Sequence, residues 1–454
     1  MRTQSIGHVS PAQESIPQAL SLAALERFLS DAQIELLCRQ FGHRWRERVL
    51  SPGPTIRAMV QRGLAPDRSI RCLLSDLAAG FVGAVAPPTP SAFCQARDRL
   101  PAGIWPALIQ LSTDRLLRQV GHRHLFHGRP LCVVDGTAVS MPDTPSLVRA
   151  FGRAKTKHGP SRFPVARLTL LIRHGVEAIV DYRLGHYRTC EDTHFHQMWD
   201  RIPPGSICLW DRRFSSFYNI AKLTARGIDI LGRLHQLRNP DRLIRCGRKI
   251  GRDEWLVSLP LAAQSHRHYK DPTLPRTLPV RLIRVRFHHG KKPHTIWLIT
   301  TLLDPIQYPR PELARLYRQR WRIETRIGSL KTTLQLNVLR GKSPASVRSE
   351  VAATVLAHNL VWTVIHEAVA PVRIPARRVS FTGAVRTILS FSCALRLAQP
   401  HQCPLILQRM LHHIRRQIYR QRPNRIEPRL IKREPVRFAF LRIPRVKARL
   451  KCLT

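Results

Sequence analysis

The chain has 454 residues and is 43% hydrophobic, enough for two to four structural units with cores of their own. It carries 75 Lys and Arg against 29 Asp and Glu, a net charge of +46. Folding needs no such excess. The charge describes a polyanionic partner, and DNA suits it because Lys and Arg release the counterions condensed on a phosphate backbone. An acidic membrane surface is the weaker option, and no apolar run of about 20 residues could span a bilayer. The opening "MRTQSIGHVSPAQES" lacks the apolar core of a signal peptide. Ten cysteines are scattered without a Cys-x-x-Cys pair, the usage of reduced thiols in a cytosolic protein. The absence of a Gly-x-x-x-x-Gly-Lys loop leaves ATP or GTP use without support.

Residues 1–20 read as a loose leader, and residues 21–125 as helical. Leu22, Leu25 and Leu29, then Ile34, Leu37 and Phe41, recur at spacings of three and four. "TPSAFCQARDRLP" (89–101) predicts a short helix, with start signals at Thr89, Pro90 and Ser91 and a stop at Pro101. This segment fits a small DNA-binding domain with that helix as its reader, and fits equally a plain helical cap on the next domain.

Past Gly128 the pattern changes. "LCVVDGT" is an apolar run ending at Asp135. "ARLTLLIRHG" and "VEAIVDYRLG" form a strand pair joined at His174 and Gly175. A helical stretch, "CEDTHFHQMWD", precedes "SICLWDRRF", a second apolar run that ends in an acid, Asp211. "SSFYNIAKLTARG" is helix-like and "IDILGRL" strand-like. This alternation over 126–235 predicts a mixed sheet with helices on its faces. Residues 236–294, rich in Pro, Gly and His with alternating runs such as "PVRLIRVRF", predict a β-rich insertion. "TIWLITTLL" resumes the sheet, and a long helix from Pro311 to Leu334 leads to the apolar helix of "SPASVRSEVAATVLAHNLVWTVIHEAV", completing a unit over 295–372. Residues 373–454 form a basic region with helices near 380–392 and 404–421 and an extended tail.

The Pro311–Leu334 helix sorts its residues by angle. At about 100° per residue, Arg320, Glu324 and Lys331 lie within roughly 60° of Tyr317. Leu316, Ile323, Ile327, Leu330 and Leu334 form the core-facing stripe. Arg315, Arg318, Arg322 and Arg326 face solvent or phosphate. The mixed strip runs along the edge of the core, where a side chain is half-buried and firmly aimed. On the helix alone, Arg320 and Glu324 also read as an ordinary pair at i, i+4.

Asp135 and Asp211 change the balance, because strands buried on both faces rarely end in a charge. If those strands are neighbours, the two carboxylates converge at one sheet edge and the helix can bring in Glu324. Three carboxylates repel one another unless divalent cations compensate them. All-oxygen ligands suit Mg²⁺ or Mn²⁺, and a pair of such ions can activate an attacking oxygen and stabilise a leaving one.

The pattern Tyr317-x2-Arg320-x3-Glu324-x6-Lys331 resembles the signature of insertion-sequence-four-type DDE transposases, and "VVDGT" and "LWDRRF" resemble the segments carrying that family's two aspartates. "FPVARLTLL" and "LRGKSPASVRSEVAATVLAHNLV" are similar to family segments as well, and the resemblance covers roughly 20–370. It implies an α/β fold, with an RNase H-like mixed sheet, flanking helices, a β-rich insertion and helical N- and C-terminal regions. It implies that Asp135, Asp211 and Glu324 are catalytic metal ligands for Mg²⁺ (or Mn²⁺), and that Tyr317, Arg320 and Lys331 contact phosphates, with Arg322 on the phosphate-facing side. Arg212 and Arg213 either clamp a phosphate or line the groove. In this family the second strand is often cut through a hairpin with a flipped base, and Trp255 of the insertion is the candidate to stack on it. The implied function is cut-and-paste transposition by a dimer on double-stranded DNA, in the bacterial cytoplasm at the nucleoid. A nuclease without strand transfer and a silent DNA-binding descendant remain as alternatives. Asp143, Asp181 and Glu177 read as decoys. Cys190, Glu191, Asp192, His194 and His196 lack the second ligand pair of a zinc site.

Overall fold

The computed structural model describes residues 25, 27–64, 69–78, 88–156, 159–262, 269–289, 292–372, 374–419 and 450; within these, the backbone but not the side chains of 76–78, 156, 288–289, 292–293, 321–326 and 396. The leader expected at 1–20 and the tail beyond 420 lie outside the described residues, Leu450 excepted.

Five helices open the described chain: α1 (Asp31–Gln40), α2 (Pro52–Leu64), α3 (Ile70–Ala78), α4 (Pro90–Arg99) and α5 (Ile104–Val120). α4 begins where its sequence predicts, with the Thr89 hydroxyl accepting from the Ala92 amide at 3.1 Å. Strands β1 (Leu131–Ser140), β2 (Arg153–Thr156), β3 (Gly159–Arg173) and β4 (Ala178–His186) follow, with α6 (Pro145–Phe151) between β1 and β2. Next come α7 (Glu191–His196), β5 (Ile207–Trp210), α8 (Phe217–Ala225) and β6 (Asp229–Arg233). The insertion adds α9 (Pro240–Arg245), β7 (Arg248–Gly251), β8 (Glu254–Pro260), β9 (Thr277–His289) and β10 (Lys292–Thr300). The chain continues with α10 (Arg310–Thr332), α11 (Pro344–Val369), α12 (Phe381–Leu397) and α13 (Cys403–Arg416).

All ten strands form one sheet, in the order β2-β3-β1-β5-β6-β10-β9-β8-β7, with β4 also on β3. β1 is antiparallel to β3 and parallel to β5, and β5 is parallel to β6. An antiparallel hairpin beside three parallel strands, covered by helices on both faces, is the RNase H-like arrangement. The insertion does not form a sheet of its own. β10 pairs with β6 on one side and β9 on the other, so the expected boundary at 294/295 falls inside a strand. Two short helices, α6 and α9, have no counterpart in the sequence reading, although Thr144-Pro145 and Asn239-Pro240 supply the cap and first turn of each.

Side-chain parity divides the sheet into two faces. Leu131 and Val133 of β1, with Ile207 and Leu209 of β5, join the core beneath α10 and α11. Cys132, Val134, Cys208 and Trp210 join a separate core with Phe195 of α7 and Ile220 of α8. α11 covers β4 through fully buried Asn359. The pairing of β3 with β4 shifts register between Leu171 and Ile172, and Asn359 serves the displaced backbone. Its Oδ1 accepts from the Ile179 amide at 2.9 Å, and its Nδ2 donates to the Ile179 carbonyl at 3.0 Å and to Ser112 of α5 at 3.2 Å. Asn359→Ala would strip the Ile179 amide of this partner and leave its carbonyl with the Thr113 hydroxyl at 3.3 Å, and is expected to cost roughly 2–4 kcal/mol. A thermal unfolding midpoint equal to wild type would contradict this.

Candidate active site

The register of β1 on β5 sets the site. Leu131, Cys132 and Val133 pair with Ile207, Cys208 and Leu209. Asp135 lies two residues beyond the last pair on β1 and Asp211 directly after β5, close enough for the Asp211 charge to act on Asp135. Both act on α10: Asp135 lies 3.9 Å from Arg320, and the Asp211 charge acts on Tyr317. Backbone amides orient them. Oδ1 of Asp135 accepts from the Gly136 amide at 2.8 Å, and Oδ1 of Asp211 accepts from the Arg213 amide at 2.8 Å, capping the turn Arg212–Phe214.

α10 packs across β1, β5 and β6. Leu316, Ile327, Leu330 and Leu334 are buried, as the periodicity predicts; Leu313 is buried as well, and the side chain of Ile323 lies outside the described residues. Tyr317 and Arg320 lie deeper than a core-edge strip would place them, at 1% and 6% exposure, because that strip faces the acids. Arg320 Nη1 is 3.9 Å from Asp135 Oδ2, and the guanidinium carbon lies 5.7 Å from the Tyr317 ring centre. Burial raises the Tyr317 phenol above its usual range, Arg320 works against that rise, and Asp211 adds to it. Arg315 and Arg318 are exposed, and Lys331 is half-buried as the penultimate residue of α10. Glu324 and Arg322 occupy the next turn after Arg320, but their side chains lie outside the described residues.

The Asp135 carboxyl is pushed up to about 6. Desolvation is the main cause. The Gly136 amide and Arg320 oppose it, while the charges of Asp211 and Glu191 reinforce it. For Asp135 the nearby guanidinium, Arg320, stands 3.9 Å away and does not offset the desolvation. An all-oxygen set of that kind fits a hard divalent cation. Among the described residues no three His, Cys, Asp or Glu side chains are grouped to hold an ion; the carboxylate of Glu324 is not among them.

The other expected residues divide. Arg212 is exposed beside Asp211, whereas the Arg213 guanidinium turns to Glu191. Trp255 is not brought to the acids. It sits on β8, five strands from β1 and so about 24 Å away along the sheet. It is 9% exposed beside Trp297, and Arg284 lies over both rings. Stacking a base on it would require those neighbours to move. Asp143 pairs with Arg153 at 2.7 Å and Asp181 with Arg183 at 2.6 Å, both as surface or edge ion pairs. Glu191 was missed. It is 8% exposed, and a Cβ at Gly136 would lie 2.3 Å from its Cδ. The glycine directly after Asp135 was the available signal.

The start of α10 is fixed from two directions. Arg129 donates to the Tyr308 hydroxyl at 3.2 Å and to Asp229 of β6 at 2.6 Å. Fully buried Arg281 of β9 donates to the Tyr308 carbonyl at 2.8 Å and pairs with Glu254 of β8. The insertion therefore clamps the helix that carries Glu324.

The geometry can be set beside known proteins. Residues 126–360 match the family model described as "Transposase DDE domain". The Escherichia coli K12 protein "Transposase InsG for insertion sequence element IS4" is 25% identical over 358 residues, 77% of this chain and 78% of its own length. "Putative transposase InsZ" of the same organism is 32% identical over 142 residues, 30% of this chain and 46% of its own. Among solved structures, a piggyBac transposase synaptic complex with hairpin DNA aligns with a TM-score of 0.43 at 10% identity, over 89% of this chain and 86% of that one.

Arg281→Ala would leave the buried Glu254 carboxylate with only the longer 3.7 Å contact to Arg310, and would release the Tyr308 carbonyl. A loss of about 3–5 kcal/mol is expected, read as a lower thermal midpoint. An unchanged midpoint would show that the clamp is not needed.

Proposed function

The chain belongs to the DDE-domain transposase family, and from that premise we propose that it carries out cut-and-paste DNA transposition. In this reading it binds the terminal inverted repeats of its element, cleaves the phosphodiester at each end, and joins the 3′-hydroxyls to target DNA. Water is the nucleophile for cleavage and the DNA 3′-hydroxyl for joining, so one displacement at phosphorus serves twice. What supports the reading is that Asp135, on β1, and Asp211, directly after the parallel neighbour β5, act on each other and on residues of α10.

Asp135, Asp211 and Glu324 would hold Mg²⁺ or Mn²⁺. Such an ion, when bound, activates an oxygen nucleophile and offsets charge on the leaving oxygen. The remaining side chains position DNA. Arg320 and Tyr317, beside the acids, would hold the scissile phosphate in line, with Lys331 further along the same helix. Arg212 and Arg322 would meet the flanking backbone. Two ends must be held together, so a dimer on DNA is part of the proposal, and a cytoplasmic, nucleoid-associated location follows from the partner. No helix among the described residues is long and apolar enough to cross a membrane.

A surface for the DNA end is available in the N-terminal helices. A cleft of about 800 Å³ between the loop after α1 and one face of α4 is lined by His43, Arg44, Trp45, Arg46, Arg48 and Arg99. Arg44, Arg46, Arg48 and Arg99 are exposed and have no acidic partner among the described residues. Trp45 stacks on His43 and under Arg39, so its faces are taken and the cleft suits phosphate rather than a base.

Incubating the protein with Mg²⁺ and DNA carrying the inverted repeats that flank its coding region is the direct test. Cleavage and strand-transfer products are expected. Nicks alone would favour a nuclease, and a mobility shift without cutting would favour a silent binding protein. Asp135→Ala or Asp211→Ala should reduce cutting by at least about 100-fold while retaining end binding; cutting that survives either would refute the site. Neutralising Arg44, Arg46 and Arg48 together should lower the slope of log affinity against log salt by about 2–3. An unchanged slope would remove the cleft from the DNA path.

A further inference from the structure

We infer that Glu191 is a positioning residue for the cleavage centre, fixing the Asp211 turn against the strand that carries Asp135 from beneath the sheet. The inference rests on the transposase reading for its consequence in catalysis, but its structural basis is independent of it.

Glu191 opens α7, between β4 and β5, on the face of the sheet opposite α10. Gly136 has the parity of Val134 and so turns toward that face. A Cβ there would sit 2.3 Å from Cδ and 2.5 Å from Oε1 of Glu191, so any larger residue would displace that carboxylate. Both carboxylate oxygens are engaged. Arg167 Nη1 of β3 donates to Oε1 at 2.7 Å, and Arg213 Nε lies 3.5 Å from Oε2. The Arg213 amide is also the group that donates to Asp211 at 2.8 Å. One buried carboxylate thus connects three segments: β3 through Arg167, β1 through contact with Gly136, and the Asp211 turn through Arg213.

This connection controls a variable that the backbone ladder leaves free. Pairing of β5 with β1 ends before Asp211, at Val133 and Leu209. Beyond that point the separation of the two aspartates depends on the turn, and the turn is tied down by the Arg213–Glu191 contact. Glu191 is not placed as a ligand itself, since it approaches from the far face and spends its oxygens on arginines. Residues that orient a ligand set from outside it alter affinity by roughly 10–100-fold when removed.

The test uses the full chain with Glu191→Gln and with Arg213→Ala, the second at a side chain 49% exposed and so without a folding risk. Mn²⁺ binding is measured by paramagnetic resonance without DNA, end binding by fluorescence anisotropy, and cleavage across a Mg²⁺ series. Each variant should weaken Mn²⁺ binding by roughly 10-fold and raise the Mg²⁺ needed for half-maximal cleavage by a similar factor, with end affinity within about twofold. The double variant should be no worse than the more severe single one, because both break the same link. Unchanged Mn²⁺ binding in both variants would overturn the inference. So would abolition by Glu191→Gln with no effect of Arg213→Ala, which would make Glu191 a ligand. If wild type binds Mn²⁺ yet never cuts end DNA, the transposase reading fails while the Mn²⁺ arm still decides the brace.

Discussion

Two like charges on adjacent parallel strands are the constraint around which this protein is arranged. The apolar runs of β1 and β5 are buried on both faces, and a carboxylate follows directly where each run stops. Close carboxylates in a partly desolvated setting raise each other's free energy. Arginines stand on both sides of the sheet, one beside Asp135 and two around Glu191. Arg320 descends from α10 above the sheet, and Arg213 and Arg167 gather around Glu191 below it. The compensation above the sheet is long, at 3.9 Å, and leaves Asp135 raised toward neutrality. That residual shortage of positive charge is what a divalent ion and a DNA phosphate clamped by arginines would resolve.

The position of α10 is therefore as consequential as the acids themselves. Its middle lies across β1, β5 and β6, and its beginning is held by a buried ion pair in the insertion and by Arg129 from the segment before β1. The insertion extends the central sheet by four strands in pairing order, β10-β9-β8-β7, rather than standing apart from it. A strand added to a sheet edge can carry force to a helix packed on that sheet, which a separately folded module on a flexible linker cannot. The Arg281–Glu254 pair and the Tyr308 carbonyl are the points where that connection is made.

Much of this was legible in sequence because the physical signals are local. Short apolar runs ending at Asp135 and Asp211 gave the strands and their acids together. The spacing of Leu316, Ile327, Leu330 and Leu334 gave the buried face of α10, and Thr89-Pro90 gave the start of α4. What was missed depends on contacts distant in the chain. β10 pairs with β6 through Leu298 and Arg233, a relation that no window of sequence contains. Tyr317 and Arg320 were placed half-buried because helical angle gives a side but not the depth of what packs there. Glu191 sat in a tract of His, Cys and acids that drew attention to metal chemistry, while its real neighbour, Gly136, is 55 positions earlier and has no side chain to advertise the contact.

Whether Glu324 joins Asp135 and Asp211 at one point is most directly tested by iron-directed cleavage of the protein chain itself. Fe²⁺ substituted for Mg²⁺, with ascorbate and peroxide, cuts the backbone next to wherever the ion is held. Fragments ending near residues 135, 211 and 324 in the same sample are expected, all suppressed by excess Mg²⁺. Cuts near the two strands with none near 324 would contradict the convergence of sheet and helix on one ion site.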